Sequence, residues 1–344
     1  MIIYLNNVDI SIHVQGNSLS LQSAKAPIGQ VLINPIPTMV GIDTDGFWNP
    51  QNPASVFFGY NDYSVFEVTA YDEGIEVFSG RIKNISRQSN DTVNVQMQTE
   101  LQIALNKNLI YSGLSMNPAR LFMDMCQKYN IKYDPVSTLR SSNIYELDEI
   151  VVSSDVLVPN TPILSWLQQL AQTGVASIYS IGDYLYYKVY ESGSIENPVC
   201  TLENTSDSDE YWLLSKPILS SREKEIPEGY LITYYDPDFS KEDQTAPFGI
   251  EDNAFSISGG QNDLIRIDTL QSAVWIGEKW LSFLSRTDAP VQLGIDTKLA
   301  RDLKIGYPIR LVMNDGTIPM NIEIESLTTN NAIETILGGL AYGN

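Results

Sequence analysis

Residues 92–101 alternate without interruption between two kinds of side chain. One side of this stretch carries Val93, Val95, Met97, Thr99 and Leu101, and the other carries Asn94, Gln96, Gln98 and Glu100. Because successive side chains of a β-strand point to opposite faces, this stretch is predicted to be a strand with one buried and one solvated face. Such strands usually belong to a sandwich or barrel that covers its own core. The polar side is therefore a candidate interface face.

The neighbouring sequence extends this strand into a predicted β-meander. Runs at 64–71 and 75–85 resemble strands, with turns near Gly74 and near residues 89–91. Residues 26–61 are rich in Pro, Gly and Asn and are predicted to form long loops. Earlier in the chain, the stretch DISIHVQG is expected to be a strand.

Helix signals appear after residue 109. Asn117-Pro118 and Thr161-Pro162 are helix-start pairs, each followed by an apolar stripe, and the second helix is expected to stop at Gly174. A hairpin at 175–180 and 184–190 follows, so residues 113–205 are predicted to form a small α+β unit. The last third contains a strand at 230–235, a helix at 271–285 and strands at 309–313, 318–327 and 332–337.

The closing strands resemble a weaker second copy of the meander. An acidic turn ends at Gly74 in one and at Gly316 in the other. Eight residues later each copy has an isoleucine, Ile82 or Ile324, and three residues further on another apolar residue, Ile85 or Leu327. Chance similarity between two meanders is the alternative explanation. The favoured interpretation is a duplicated β domain.

Composition excludes several partners. The chain has 344 residues with 21 basic and 42 acidic side chains, a formal charge of −21, so tight binding to duplex DNA or to an anionic membrane is not expected. The first residues have no basic start and mix Asn, Asp and Ser with apolar residues, which argues against a signal peptide or a membrane anchor. The cysteines Cys126 and Cys200 have no disulfide or metal spacing, and Cys126 is predicted to lie in the core.

No motif indicates an enzyme. The single histidine, His13, lies far in sequence from any obvious catalytic nucleophile, and neither G-x-S-x-G, a P-loop nor G-x-G-x-x-G occurs. Paired carboxylates stay possible but carry no signal among 42 acids. The loop 236–243 imitates the start of an EF-hand, yet Lys241 and Pro247 occupy the positions that need glycine and glutamate. We expect no catalytic residues, no cofactor and no metal.

A cluster of tyrosines allows two interpretations. Tyr179, Tyr184, Tyr186, Tyr187 and Tyr190 are either a platform on which a carbohydrate stacks or a combination of core and protein interface. In a hairpin some of these rings must point inward. The second interpretation is therefore favoured.

The order of elements resembles the baseplate or tail hub proteins of tailed bacteriophages and their relatives in contractile injection systems. The resemblance rests on FSGRIKNI, PARLFMDMCQKYNIKY, PILSWLQQLAQTGVASIYSIGDYLYYKVY, GYLITYY and LKIGYPIRLVMNDG, and it spans most of the chain. It implies a mainly β fold with α+β insertions: a first tube-like β-barrel domain at 1–112, an α+β middle domain at 113–205, and a second tube-like domain with an inserted or appended helix at 206–344.

The resemblance also implies a function in the virion, after synthesis in the host cytoplasm. A homotrimer would form a pseudo-sixfold ring that joins the tail tube or distal tail protein to a tail-tip, spike or fibre protein. DNA and tape-measure protein would pass through without tight binding, and no stable membrane insertion is expected. If Asn94, Gln96, Gln98 and Glu100 line that channel, its wall should carry zero or net negative charge. The alternative is a tail-tip protein that binds a receptor or carbohydrate on the host surface.

Overall fold

The computed structural model describes residues 2–16, 19, 22–33, 37–72, 74–191, 198–204, 218–219, 226–240, 242–285, 289–300, 302–313, 320–329 and 334–342. The chain divides into two compact units. The first comprises residues 1–22 and 34–104, and the second comprises residues 23–33 and 105–344. The predicted division into three domains at 112 and 205 stays a prediction.

Strands dominate both units. The first nine are β1 (Ile2–Leu5), β2 (Val8–Asp9), β3 (Gln22–Ala24), β4 (Val31–Leu32), β5 (Thr38–Ile42), β6 (Glu67–Asp72), β7 (Ile75–Arg87), β8 (Thr92–Gln98) and β9 (Asn108–Met116). The others are β10 (Val152–Pro162), β11 (Ala176–Ile181), β12 (Tyr184–Val189), β13 (Cys200–Asn204), β14 (Ile218–Leu219), β15 (Gly229–Tyr234), β16 (Gln244–Gly249), β17 (Ala254–Gly259), β18 (Arg266–Ile267), β19 (Ala289–Asp296), β20 (Pro308–Met313), β21 (Met320–Thr329) and β22 (Glu334–Tyr342).

Helices are few and short. They are α1 (Glu100–Leu105), α2 (Pro118–Lys128), α3 (Pro135–Leu147), α4 (Ile163–Thr173), α5 (Leu270–Leu284) and α6 (Thr297–Ala300). Within the residues that the structure describes, none of these helices has the length and apolar character needed to cross a bilayer. The chain is thus mainly β with α+β insertions, as the sequence predicted.

The first unit is built on a six-stranded sheet in the order β2-β1-β6-β7-β8-β5. Its inner face forms a core with Val68, Ile82 and Met97 at its centre. The loop-rich residues predicted at 26–61 supply β5, an edge strand of this sheet, and a well-packed loop. In that loop Trp48 is fully buried and stacks on Phe57, with ring centroids 5.4 Å apart.

The second unit contains a corresponding seven-stranded sheet, in which six strands follow the order β13-β20-β21-β22-β19-β14 and β3 pairs with β21. Its four central strands, β20-β21-β22-β19, match β6-β7-β8-β5 in order and in antiparallel pairing. They enclose a separate core that includes Ile309, Ile324 and Leu337.

The match between the two sheets extends to residue register. In β7 the pairing with β8 shifts between Ile82 and Asn84, and in β21 the pairing with β22 shifts between Ile324 and Ser326. Ile82 pairs with Met97 and Ile324 pairs with Gly339, so both members of the pair move by 242 positions. The starts of β8 and β22 differ by the same number. One extra residue, Lys83 or Glu325, therefore forms a β-bulge at the same place in both sheets.

The remaining sheets of the second unit have three strands each: β18-β10-β9, β12-β11-β4 and β16-β15-β17. Helix α2 begins as predicted, since Asn117 caps it by accepting from the backbone N–H of Arg120 at 2.9 Å. Cys126 is buried within α2. Helix α5 agrees with the prediction to within one residue, and Thr269 is its N-cap.

Three local predictions were wrong, and two elements were missed. The stretch DISIHVQG is not a strand, because residues 11–13 form a 3-10 turn. The strand predicted to reach Leu101 ends at Gln98, since α1 begins at Glu100. Thr161-Pro162 ends strand β10 and does not start the helix, which begins at Ile163. Helix α3 and strand β10 were not predicted at all.

Candidate interface on the first β-sheet

Three of the four candidate residues share the outer face of β8. Asn94, Gln96 and Gln98 alternate along the strand with Val93, Val95 and Met97, which are buried in the core of the first unit. The three polar side chains are half-buried. The predicted division of this strand into an apolar and a polar face is therefore confirmed.

Glu100, the fourth candidate, lies outside the strand. It is the first residue of α1, and its carboxylate accepts from Nε of Arg81 at 2.7 Å. Arg81 also faces Glu67, with Nη2 and Oε1 3.7 Å apart. All three side chains are more than a third exposed, so these ion pairs contribute little, about 0–1 kcal/mol in total. They still keep one positive charge between two negative ones at the edge of the polar face.

The strands on both sides of β8 extend the polar face. On β7, Asn84 pairs with Gln96 and Ser86 pairs with Asn94. On β5, Thr38 pairs with Gln96, while the apolar Val40 pairs with Asn94. Thr38, Asn84 and Ser86 carry no formal charge, whereas Lys83, the bulge residue directly before Asn84, is exposed and positively charged. Sequence alternation missed the two β7 residues because the bulge at Lys83 shifts which side chains face outward.

The second sheet presents different chemistry at the equivalent positions. Residues 242 positions after Asn94, Gln96 and Gln98 are Ile336, Gly338 and Leu340, all half-buried on β22. The position of Arg81 is taken by Glu323, which has the opposite charge. The two sheets share their pairing register and differ in the surfaces that they offer.

Glu323 is the centre of a largely buried charge cluster. Its Oε1 accepts from Nζ of Lys25 at 2.6 Å and from Nζ of Lys188, on β12, at 2.9 Å. The pKa of Lys188 is lowered, first by burial and then by the neighbouring Lys25, while Glu323 acts in the opposite direction. One carboxylate thus neutralises one of two ammonium groups. The cluster joins the hairpin β11-β12 to the outer face of the second sheet.

The other sequence candidates do not form a site. Three of the five tyrosines, Tyr179, Tyr187 and Tyr190, are buried. Tyr179 stacks on Tyr186 with ring centroids 5.4 Å apart, so that ring is already covered. The arrangement agrees with the core-and-interface interpretation and leaves no continuous exposed platform among these five residues.

His13 and the acidic loop after β15 are engaged in local contacts. The His13 ring stacks on Phe47, with centroids 4.0 Å apart, and its Nδ1 lies 3.5 Å from a carboxylate oxygen of Asp45. In the loop, Asp236 accepts from the backbone N–H of Asp238 at 3.1 Å. Across the described ranges, no three His, Cys, Asp or Glu side chains group closely enough to hold a metal ion.

Comparison with solved structures identifies the fold. The chain is similar to a tail protein from Neisseria meningitidis MC58, with a TM-score of 0.57, 9% identity and coverage of 99% of this chain and 95% of that one. This chain has the fold of phage tail proteins. A 43 kDa tail protein of prophage MuSo2 from Shewanella oneidensis is similar with a TM-score of 0.56, 8% identity and coverage of 98% and 95%.

A third tail-protein structure agrees. The prophage tail protein gp18 from Listeria monocytogenes EGD-e gives a TM-score of 0.53 at 11% identity, with coverage of 98% of this chain and 94% of that one. A scan against protein-family models and a search of curated proteins found no match. The similarity to these three tail proteins is one of backbone fold, at 8–11% sequence identity.

Proposed function

We propose that this chain is a structural, non-enzymatic hub of a phage tail or baseplate. Three copies form a pseudo-sixfold ring in the virion, joining the tail tube or distal tail protein to the tail-tip, spike or fibre protein. The observation that carries the proposal is the duplicated sheet with a common register and a bulge at the same position. One chain with two similar β domains supplies six at three copies, which adapts a sixfold tube to a threefold tip.

The proposal also assigns the polar face of β8. We place Asn94, Gln96 and Gln98 toward the channel, where DNA and tape-measure protein pass. Neutral amides do not release counterions from phosphate as Lys and Arg do, so a polymer in transit is not held. The two carboxylates beside Arg81 add net negative charge at the edge of this face.

The oligomeric state tests the trimer. Light scattering of the purified chain should give about 115 kDa, three times the 38.4 kDa of one copy. Class averages from electron microscopy should then show six similar densities around one axis. A monomer, or a ring of six chains, would contradict the trimeric hub.

A charge substitution tests the channel. Asn94→Lys, Gln96→Lys and Gln98→Lys together should make the ring retain duplex DNA, with affinity that falls steeply as salt rises. The matched control places three lysines at Gln15, Gln51 and Asn61, which are exposed on loops. Equal DNA retention by both variants would refute the assignment of this face to the channel while leaving the trimer intact.

A further inference from the structure

Three apolar side chains are exposed together at one end of the sheet β16-β15-β17. Ile226, Phe248 and Ile250, here called the apolar patch, are 46%, 54% and 56% exposed. Asn253 joins the backbones at the two isoleucines: its side-chain Nδ2 donates to the carbonyl of Ile226 at 3.3 Å, and its backbone N–H donates to the carbonyl of Ile250 at 3.2 Å.

The turn that places Ile250 in the patch requires glycine. Gly249 has a φ of +78°, and a Cβ at this position would collide with the carbonyl oxygen of Glu228. Only glycine fits this position, and the backbone at Gly249 is held in the left-handed conformation. The exposed position of Ile250 follows from the turn and is not a consequence of a loosely held chain.

A layer of aromatic rings supports the patch from below. Phe248 stacks on Tyr230 with ring centroids 5.3 Å apart, and Tyr230 contacts Phe255 at 6.1 Å. The Tyr230 ring lies against Gly277 of α5, where a Cβ would overlap it. The patch is thus preorganised, which lowers the entropy lost when a partner covers it.

The rim of the patch is acidic. Glu228, Asp252 and Glu278 are exposed. In the part of the chain that the structure describes, no Lys or Arg forms an ion pair with their carboxylates. Glu278 contributes to the raised pKa of Tyr230, after burial, so it lies beside the supporting rings. In the sequence, residues 226–263 contain eight Asp or Glu and one Lys.

We propose that the apolar patch with its acidic rim binds a basic, amphipathic segment of another protein. Apolar side chains of the segment would cover Ile226, Phe248 and Ile250, and Lys or Arg beside them would meet the carboxylates of the rim. The charge complementarity selects this occupant. A second copy would oppose acid to acid, and nucleic acid or an anionic membrane would be repelled. This inference does not depend on the trimeric hub.

The test uses synthetic peptides and the full chain. A fluorescently labelled 18-residue peptide of Lys and Leu, arranged as an amphipathic helix, should bind in an anisotropy titration at physiological salt. Two further peptides, one with Glu in place of Lys and one with Ser in place of Leu, should not bind measurably. Binding of the Lys/Ser peptide as tightly as the Lys/Leu peptide would overturn the proposal, since the apolar patch would then have no role.

Matched variants locate the binding surface. The double variant Phe248→Ser and Ile250→Ser should weaken binding about tenfold or more, and so should Glu228→Lys, Asp252→Lys and Glu278→Lys together. The controls are Phe239→Ser, at an aromatic side chain that is 76% exposed, and a triple charge variant at the exposed Asp238, Glu242 and Asp302.

The controls should change the affinity less than twofold. Equal losses in test and control variants would overturn the proposal, because the peptide would then follow the overall charge of the chain. Binding of an N-acetylglucosamine oligomer that Phe248→Ser abolishes would also overturn it and assign the patch to carbohydrate. Circular dichroism of each variant verifies that the fold is retained, and Phe248→Leu is the substitute if the serine variants unfold.

Discussion

Replacing Glu323 with glutamine should destabilise the second unit strongly. The substitution removes the carboxylate that Lys25 and Lys188 share, at 2.6 and 2.9 Å, and leaves two ammonium groups close together. The side chains of Glu323 and Lys25 are only 14% and 9% exposed, so water does not replace the lost charge. Removing one partner of a buried ion pair costs about 3–5 kcal/mol. Because Lys188 is 33% exposed, we expect the lower end, about 3 kcal/mol.

Native-state hydrogen exchange of the amides in β21 and β12 measures this effect within the second unit. A global denaturation curve is less direct, since two compact units need not unfold together. The matched control is Glu100→Gln, which breaks the exposed ion pair with Arg81 at 2.7 Å and is measured in the first unit, away from the cluster. That loss should be at most about 1 kcal/mol.

A triple apolar variant separates charge from packing. Lys25→Met, Lys188→Met and Glu323→Met together remove every charge of the cluster and keep similar side-chain volumes. Buried ion pairs replaced in this way often cost little or gain stability, so we expect a change within about 2 kcal/mol of the native chain. If Glu323→Gln costs less than about 1 kcal/mol, or if the triple variant is as unstable as the single one, the electrostatic reasoning is wrong.

Two further outcomes follow from the cores and the buried rings. Ile82→Ala and Ile324→Ala should each lower the free energy of unfolding of their own unit by about 2–5 kcal/mol, since both side chains are fully buried at equivalent positions. If hydrogen exchange shows destabilisation for only one of the two variants, the positions are not equivalent. Burial raises the pKa of Tyr145 and Tyr187 above the ordinary value of 10.0, so the folded chain keeps these protons while the unfolded chain loses them near pH 10. The free energy of unfolding should therefore fall as pH rises beyond about 10, and tyrosinate absorbance from both residues should appear only on unfolding. Tyr187→Phe should remove one ionisation from that step. Titration of both rings before the chain unfolds would contradict the burial argument.

The polar face was predictable from sequence only along one strand. Alternation placed Asn94, Gln96 and Gln98 correctly because β8 is regular. It failed at Glu100, where the helical turn of α1 continues the same apolar and polar order. A signal was present: Thr99 and Gln102 form a capping box, in which each side chain accepts from the other's backbone N–H, at 3.2 and 3.1 Å.

Helix α3 escaped prediction because its pattern is inverted. It buries Thr138, Ser141, Ser142 and Tyr145 and exposes Val136, Leu139 and Leu147. The apolar side chains therefore mark the exposed face of this helix, whereas apolar periodicity normally marks the buried face. Its start was readable, since Asp134-Pro135 is a helix-start pair and the Asp134 carboxylate accepts from the backbone N–H of Ser137 at 2.7 Å. The buried face had no such signal, because it depends on partners distant in sequence, such as the Tyr187 hydroxyl, 2.8 Å from that of Tyr145.

The shared bulge marks a common register beneath two different surfaces. Between residues 79–98 and 321–340 only one aligned pair is identical, Ile82 with Ile324, although the pairing register is common to both hairpins. In an assembly of identical single-domain subunits, equivalent outward positions would all carry the same side chain. Two sheets within one polypeptide are not bound by that symmetry, so Asn94 and Gln96 can differ from Ile336 and Gly338 without any change to the strands that carry them. The chain thus combines a common pairing register with two surfaces that are free to differ.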